Sequence, residues 1–283
     1  MGLPRRRFAA LTTSGWVLTA ALLSSWSLGP PVWQVLTAFK EDRQITLTPT
    51  VYLPHPATWA NFAALWERKP FGAYLANSLL VSAAATLLSV LIGALGASAL
   101  VRMPEPGRSR LLLGLLIVAI FPPILLLFPL YEGVRALGWL NHPLALILPY
   151  AALSLPLAVW IVESGYRQIP AEIEEAAILD GLGAAQRILR IQLPLAAPSV
   201  VTAGILVFIF CWNEFMLALT FMTRDERKTL TAGIASVSGA SLYEIPWGQL
   251  SAAIVIATAP LVLLVLLFER RISSGLTRGA VKG

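Results

Sequence analysis

Charge is scarce in this chain, and cysteine and histidine are almost missing. Only 13% of its 283 residues are Asp, Glu, Lys or Arg, against 57% hydrophobic. A water-soluble domain of this size needs a much denser charged shell, so the composition excludes an ordinary soluble globule and points to a lipid bilayer. The one cysteine, Cys211, lies inside an apolar run, which rules out an intrachain disulfide and a cysteine-based metal site. His55 and His142 each precede a proline and lie far apart, the pattern of isolated loop residues rather than of metal ligands. There is no Gly-x-x-x-x-Gly-Lys-Ser/Thr phosphate loop, no Ser/His/Asp triad pattern and no metal-ligand spacing. The chain is therefore expected to carry no catalytic site, no metal and no ATP of its own. Its net charge of +6 fits the Lys and Arg excess of cytoplasmic loops in a membrane protein better than a nucleic-acid partner.

What the chain does have is long apolar runs. A helix rises about 1.5 Å per residue, so about 20 apolar residues cross the hydrocarbon. Six stretches meet that length: 14–39, 74–101, 111–131, 144–162, 199–222 and 250–268. The expected fold is an all-α integral membrane protein with six transmembrane helices. Prolines inside the runs, among them Pro30, Pro31, Pro122, Pro123, Pro149, Pro156 and Pro260, predict bends. Arg5, Arg6 and Arg7 ahead of the first run resemble a secretory signal, but the run continues to Phe39 and reads as an uncleaved anchor. Counting Lys and Arg on the connecting loops favours both termini in the cytoplasm. Residues 1–13 are then a cytoplasmic N-terminus, 14–268 the membrane domain and 269–283 a cytoplasmic tail. The segments from Lys40 to Phe71 and from Arg224 to Gly248 fall on the outer side. Either they connect helices at the headgroup level or they meet an extracytoplasmic partner.

One cytoplasmic loop, about residues 163–198, is too long to be a simple turn, and its charges are ordered. Pro170 with Glu172, Glu174 and Glu175 suits a helix start, Gly181 and Gly183 a stop, and a second helix begins near Ala184, with Arg187 and Arg190 toward its end. Ala176 and Ala177 add little bulk, so a partner surface can approach closely, while Ile178 and Leu179 offer apolar contact too short to span lipid. Pro194 and Pro198 give a stiff re-entry into the fifth span, so a push on the loop is passed on to that helix.

The run Glu175-Ala176-Ala177, three residues, Gly181, nine residues, then Ile191-Gln192-Leu193-Pro194 resembles the EAA motif of ATP-binding-cassette (ABC) importer permeases at every defining position. Trp212-Asn213-Glu214 in the fifth run and the ending Gly275 to Gly283 are similar to the MalG-type permeases for maltose, trehalose and related sugars, over nearly the whole chain. The resemblance implies a sugar-importer subunit of the bacterial inner membrane. It also implies a second, distinct permease, two ATP-binding subunits that supply the energy, and an extracytoplasmic sugar-binding protein. The implied ATPase-coupling residues are Glu174, Glu175, Ala176, Ala177, Asp180, Gly181, Ile191, Leu193 and Pro194.

Within the spans, Asn213 and Glu214 stand out, because an ionisable group at membrane depth costs a few kcal/mol unless it faces a cavity or partner. They either line a translocation pathway or tie helices together. Asn77 and Ser78 read as interhelical ties, and Gly93 and Gly96 with Ala94, Ala97 and Ala99 as a close-packing face. Two other classes remain open at this level: an ion-coupled secondary transporter and an intramembrane enzyme. The first lacks paired intramembrane carboxylates and the second lacks converging catalytic groups.

Overall fold

The computed structural model describes the backbone of residues 5–237 and 245–280, and side chains over 16–237 and 245–268. Among the described residues every regular element is helical. In order these are α1 (Arg5–Ala38), α2 (Asp42–Ile45), α3 (Ala60–Arg68), α4 (Phe71–Val101), α5 (Gly107–Ile120), α6 (Pro123–Ala136) and α7 (Leu144–Tyr166). Then follow α8 (Ala171–Leu179), α9 (Ala184–Arg187), one π-helical turn (Ile188–Gln192), α10 (Leu193–Leu195), α11 (Ala197–Asn213) and α12 (Met216–Phe221). A 3-10 turn (Asp225–Arg227), α13 (Leu230–Ile234) and α14 (Trp247–Ala280) complete the chain.

The chain divides into two compact units, Met1–Lys69 with Val237–Ile256, and Pro70–Ser236 with Ala257–Gly283. In the first, α1 leads into a short folded connector. Asn61 donates from Nδ2 to the carbonyls of Ala38 (2.9 Å) and Lys40 (2.8 Å), and Gln44 donates to the His55 carbonyl at 2.7 Å. The rings of Phe39, Trp59 and Phe62 cluster, and the Lys40 ammonium sits 4.0 Å from the centre of the Trp33 ring. The segment read as a loop or interfacial helix is thus an ordered connector that holds α2 and α3. The second outer segment falls partly on residues 238–244, outside the described residues.

The second unit is built on α4, α7 and α11, which pack against one another. Small residues make the approach possible. On α4 the buried face includes Ser82, Ala85, Ser89, Gly93, Ala94 and Ala97, and a Cβ on Gly93 would lie 3.0 Å from the Ala158 side chain. At Gly165 of α7 an added Cβ would meet Ser199 of α11 at 2.5 Å. Buried hydroxyls pair across the helices, as in Ser154 to Ser89 at 3.1 Å. Asn77 and Ser78 do tie elements together: Asn77 donates to the carbonyls of Glu226 and Lys228, and the Ser78 hydroxyl accepts the Leu230 N–H at 2.7 Å. Outward, α4 exposes Leu79, Leu80, Leu87 and Leu95, and α14 exposes Leu263, Leu266 and Leu267, an apolar surface suited to lipid.

Two of the expected spans are not single helices. The run 111–131 breaks at Phe121 and Pro122, and α5 and α6 meet at 83°. Two successive prolines hold Phe121 and Pro122 extended (ψ 130° and 114°), and Pro123 then starts α6 at its first turn, where its missing N–H costs nothing. The run 199–222 breaks after Asn213, where Glu214 is extended (φ −66°, ψ 130°) before α12 begins. Among the described residues three helices are long and apolar enough to cross a membrane, Phe71–Val101, Leu144–Tyr166 and Trp247–Phe268, and up to five if two bent pairs, Gly107–Ile120 with Pro123–Ala136 and Ala184–Leu195 with Ala197–Asn213 (84°), each count as one span. The first expected span, 14–39, falls on α1 except for Phe39, which lies in the turn after it. The region read as a separate tail continues α14 as far as Ala280, and residues 281–283 lie outside the described residues.

Candidate functional site

Pro170, extended at ψ 137°, opens α8, and Glu172 and Glu174 occupy its first turn, where the free N–H groups favour negative charge. The helix stops at Asp180. Gly181 takes φ +79°, its N–H donates to the Ile178 carbonyl at 3.0 Å, and the Leu182 N–H donates to the Ala177 carbonyl at 3.0 Å. Those two bonds form a Schellman cap, whose left-handed residue is favoured as glycine because a Cβ is strained there. The chain then turns into α9. The Gly183 N–H is taken up by the Gln186 side chain at 3.1 Å, and Arg187 Nη1 donates to the Leu182 carbonyl at 2.8 Å.

The face α8 presents is sharply divided. Glu175, Ala176 and Asp180 are exposed, as are Ile178 (54%) and Leu179 (87%) at the helix end. Ala177 is buried at 4% exposure. The two alanines expected to admit a partner therefore differ in burial, Ala176 being exposed and Ala177 buried, although both line the same cleft. An open cleft of about 430 Å³ runs along this region, lined by Glu172, Ile173, Ala176, Asp180, Leu182 and Ile191 among others.

Glu174 turns inward. Its carboxylate accepts a hydrogen bond from Gln192 Nε2 and lies 3.5 Å from Arg102 Nε, at the end of α4. Below it, Ala196 packs with Ala94, Ala97, Val162, Tyr166 and Ala203, and Leu193 lies against the same cluster. Of the expected coupling residues, Glu175, Ala176, Asp180, Gly181 and Pro194 are exposed, Ile191 and Leu193 are half-buried, and Glu174 and Ala177 face the chain's own interior. Sequence reasoning missed Arg102 as a partner of Glu174 and passed over Gln192 inside the motif. Arg102 lies far away in the chain, and only its place just after a 31-residue apolar helix marks it.

The second candidate pair separates as well. The Glu214 carboxylate accepts the Tyr150 hydroxyl, the Leu217 N–H at 2.8 Å and the Ala218 N–H at 3.2 Å, and its carbonyl accepts the Thr231 hydroxyl at 2.7 Å. It caps α12 and ties that helix to α7. Asn213 is exposed, with Nδ2 donating to the Ile209 carbonyl one turn back at 2.8 Å. Trp212 donates from its indole to the Ala257 carbonyl of α14 at 3.1 Å.

The fold has a solved counterpart. It matches a chain of a bacterial ABC transporter that imports the acidic polysaccharide alginate, with a TM-score of 0.76 over 95% of this chain and 98% of that one, at 18% identity. The architecture is that of a multi-pass membrane protein. Residues 85–278 match the family described as "Binding-protein-dependent transport system inner membrane component", and the chain belongs to that family. Among similar proteins, the trehalose/maltose transport system permease MalG of Thermococcus litoralis is 39% identical, covering 94% of this chain and 96% of the relative. The sulfoquinovosyl glycerol transport system permease SmoH of Agrobacterium fabrum is 38% identical over 94% and 93%. The trehalose transport system permease SugB of Mycobacterium tuberculosis is 36% identical over 95% and 97%.

Proposed function

We propose that this chain is one of two permease subunits of an ATP-driven carbohydrate importer, and that the segment from α8 to α10 is where ATPase subunits grip it. Family membership and carbohydrate-transport relatives support the substrate class. The observation that carries the coupling role is the built shape of the segment. Exposed Ile178 and Leu179 protrude beside a cleft, a glycine cap fixes the turn, and the inner face is bonded and packed onto α4, α7 and α11. An apolar knob on a rigid mount suits docking into a groove of a partner.

In this reading the chain crosses the membrane six times, with both termini and the α8–α10 segment in the cytoplasm. A distinct second permease completes the pathway, and an extracytoplasmic binding protein delivers the sugar. Closure of two ATP-loaded subunits pushes α8, and the push switches the pathway between inward-open and outward-open states. Glu175 and Asp180 are available to charged or hydrogen-bonding groups on the ATPase surface, and Asn213 is the better placed of the span pair to face a sugar. The test is reconstitution of the purified assembly in proteoliposomes. Uptake of a labelled maltose or trehalose-type disaccharide that requires both luminal-face ATP and the binding protein is the expected result. Uptake by this chain alone, driven by an ion gradient, contradicts the proposal.

A further inference from the structure

The Arg102, Glu174 and Gln192 side chains come from three separate elements and meet at one carboxylate. Arg102 caps α4, Glu174 sits in the first turn of α8, and Gln192 ends the π-helical turn. Gln192 is 0% exposed; its Nε2 donates to Glu174 while its Oε1 is buried without a hydrogen-bond partner. Arg102 and Glu174 stand at 3.5 Å, an ion pair with only 35% and 20% of the side chains exposed. These contacts join the inner face of α8 to the end of α4, the helix that packs on both α7 and α11. The turn that carries Gln192 is wound wider than an α-helix, an arrangement that recurs at functional sites because it re-aims a side chain.

We propose that Glu174, held by Arg102 and Gln192, is a positioning residue that transmits movement of α8 directly to α4, in parallel with the route through Pro194 into α11. This rests on the coupling role proposed above. Two physical points favour a moving joint over a simple brace. A partly exposed ion pair adds little static stability, yet it is directional and can be remade at a new position. An unpaired buried carbonyl on Gln192 carries a cost that a second arrangement of the segment can relieve, which is what a two-position element requires. Both contacts also converge on the one carboxylate of α8 that faces away from the docking surface, so ATPase contact and α4 contact use opposite sides of one short helix.

The experiment uses the intact transporter, with its ATPase and second permease, in proteoliposomes, and reads ATP hydrolysis stimulated by sugar-loaded binding protein together with copurification of the ATPase. Arg102→Glu is expected to keep the ATPase bound at the wild-type ratio while stimulation falls at least five-fold. The exchange Arg102→Glu with Glu174→Arg is expected to restore at least half of the lost stimulation. Glu174→Gln, which keeps size and removes charge, is expected to lie between, and serves if Arg102→Glu does not assemble. Wild-type stimulation in both Arg102→Glu and Glu174→Gln overturns the proposal, as does a fall that the exchange leaves unrepaired. If the wild-type chain binds no ATPase at all, it is the function proposed above that fails, and the two failures are therefore distinguishable.

Discussion

At Gly181 the backbone alone dictates the residue. With φ +79° and no atom within 4 Å of a would-be Cβ, a side chain there has room but no comfortable conformation. Gly181→Val is expected to cost about 1–2 kcal/mol locally and to unwind the cap. Gly181→Asn, which visits the left-handed region more readily, is expected to retain most function. ATPase stimulation in the reconstituted assembly separates them, and equal loss in both would point to a steric rather than a conformational cause. Glu214 illustrates the opposite case, an ionisable residue whose role lies in tertiary contacts. Glu214→Ala removes the cap of α12 and strands the Tyr150 hydroxyl, in a residue only 1% exposed. A loss of about 2 kcal/mol, read as a lower apparent Tm in detergent, is expected. The sequence flagged Glu214 as unusual at its depth but left open which partner it had, because Tyr150 is 64 residues away and nothing local links them.

At the scale of elements, the helix, glycine turn and helix of α8 and α9 were legible because every signal is local: Pro170 ahead of acidic residues, then Gly181 and Gly183. The breaks at Phe121–Pro122 and at Glu214 were harder to see. Hydropathy runs straight through both, and prolines elsewhere, such as Pro149 and Pro156, remain inside an unbroken α7. Successive prolines alone do not mark a break, since Pro30 and Pro31 lie inside the continuous α1; at Phe121–Pro122 the chain turns extended, and at Glu214 a carboxylate caps a new helix, both of which depend on the three-dimensional setting. Close approach of α7 and α11 depends on Gly165. Gly165→Ala is expected to destabilise the bundle by about 1–3 kcal/mol, since its Cβ would sit 2.5 Å from Ser199 and the helices must part. Gly114→Ala, with nothing within 4 Å, is the control and is expected to leave the apparent Tm unchanged or slightly higher.

For the whole molecule, the apolar composition, the three-helix core and the family match point in one direction: a membrane permease whose ATPase activity lies in separate subunits. Long-range ties such as Arg102 to Glu174 join α8 to the end of α4, the helix that packs on α7 and α11, and in the proposal above they carry a push on α8 to that core. Docking of α8 on an ATPase subunit is most directly tested by crosslinking. With the buried Cys211 replaced by Ser, Ala176→Cys provides a single exposed thiol on that helix. In inside-out membrane vesicles holding the whole assembly, a short bifunctional thiol reagent is expected to join position 176 to an ATPase subunit, and a cysteine placed at Trp247 is expected to give no such product. Absence of any ATPase adduct from position 176, or labelling of that thiol only from the opposite side of the membrane, contradicts the proposed coupling.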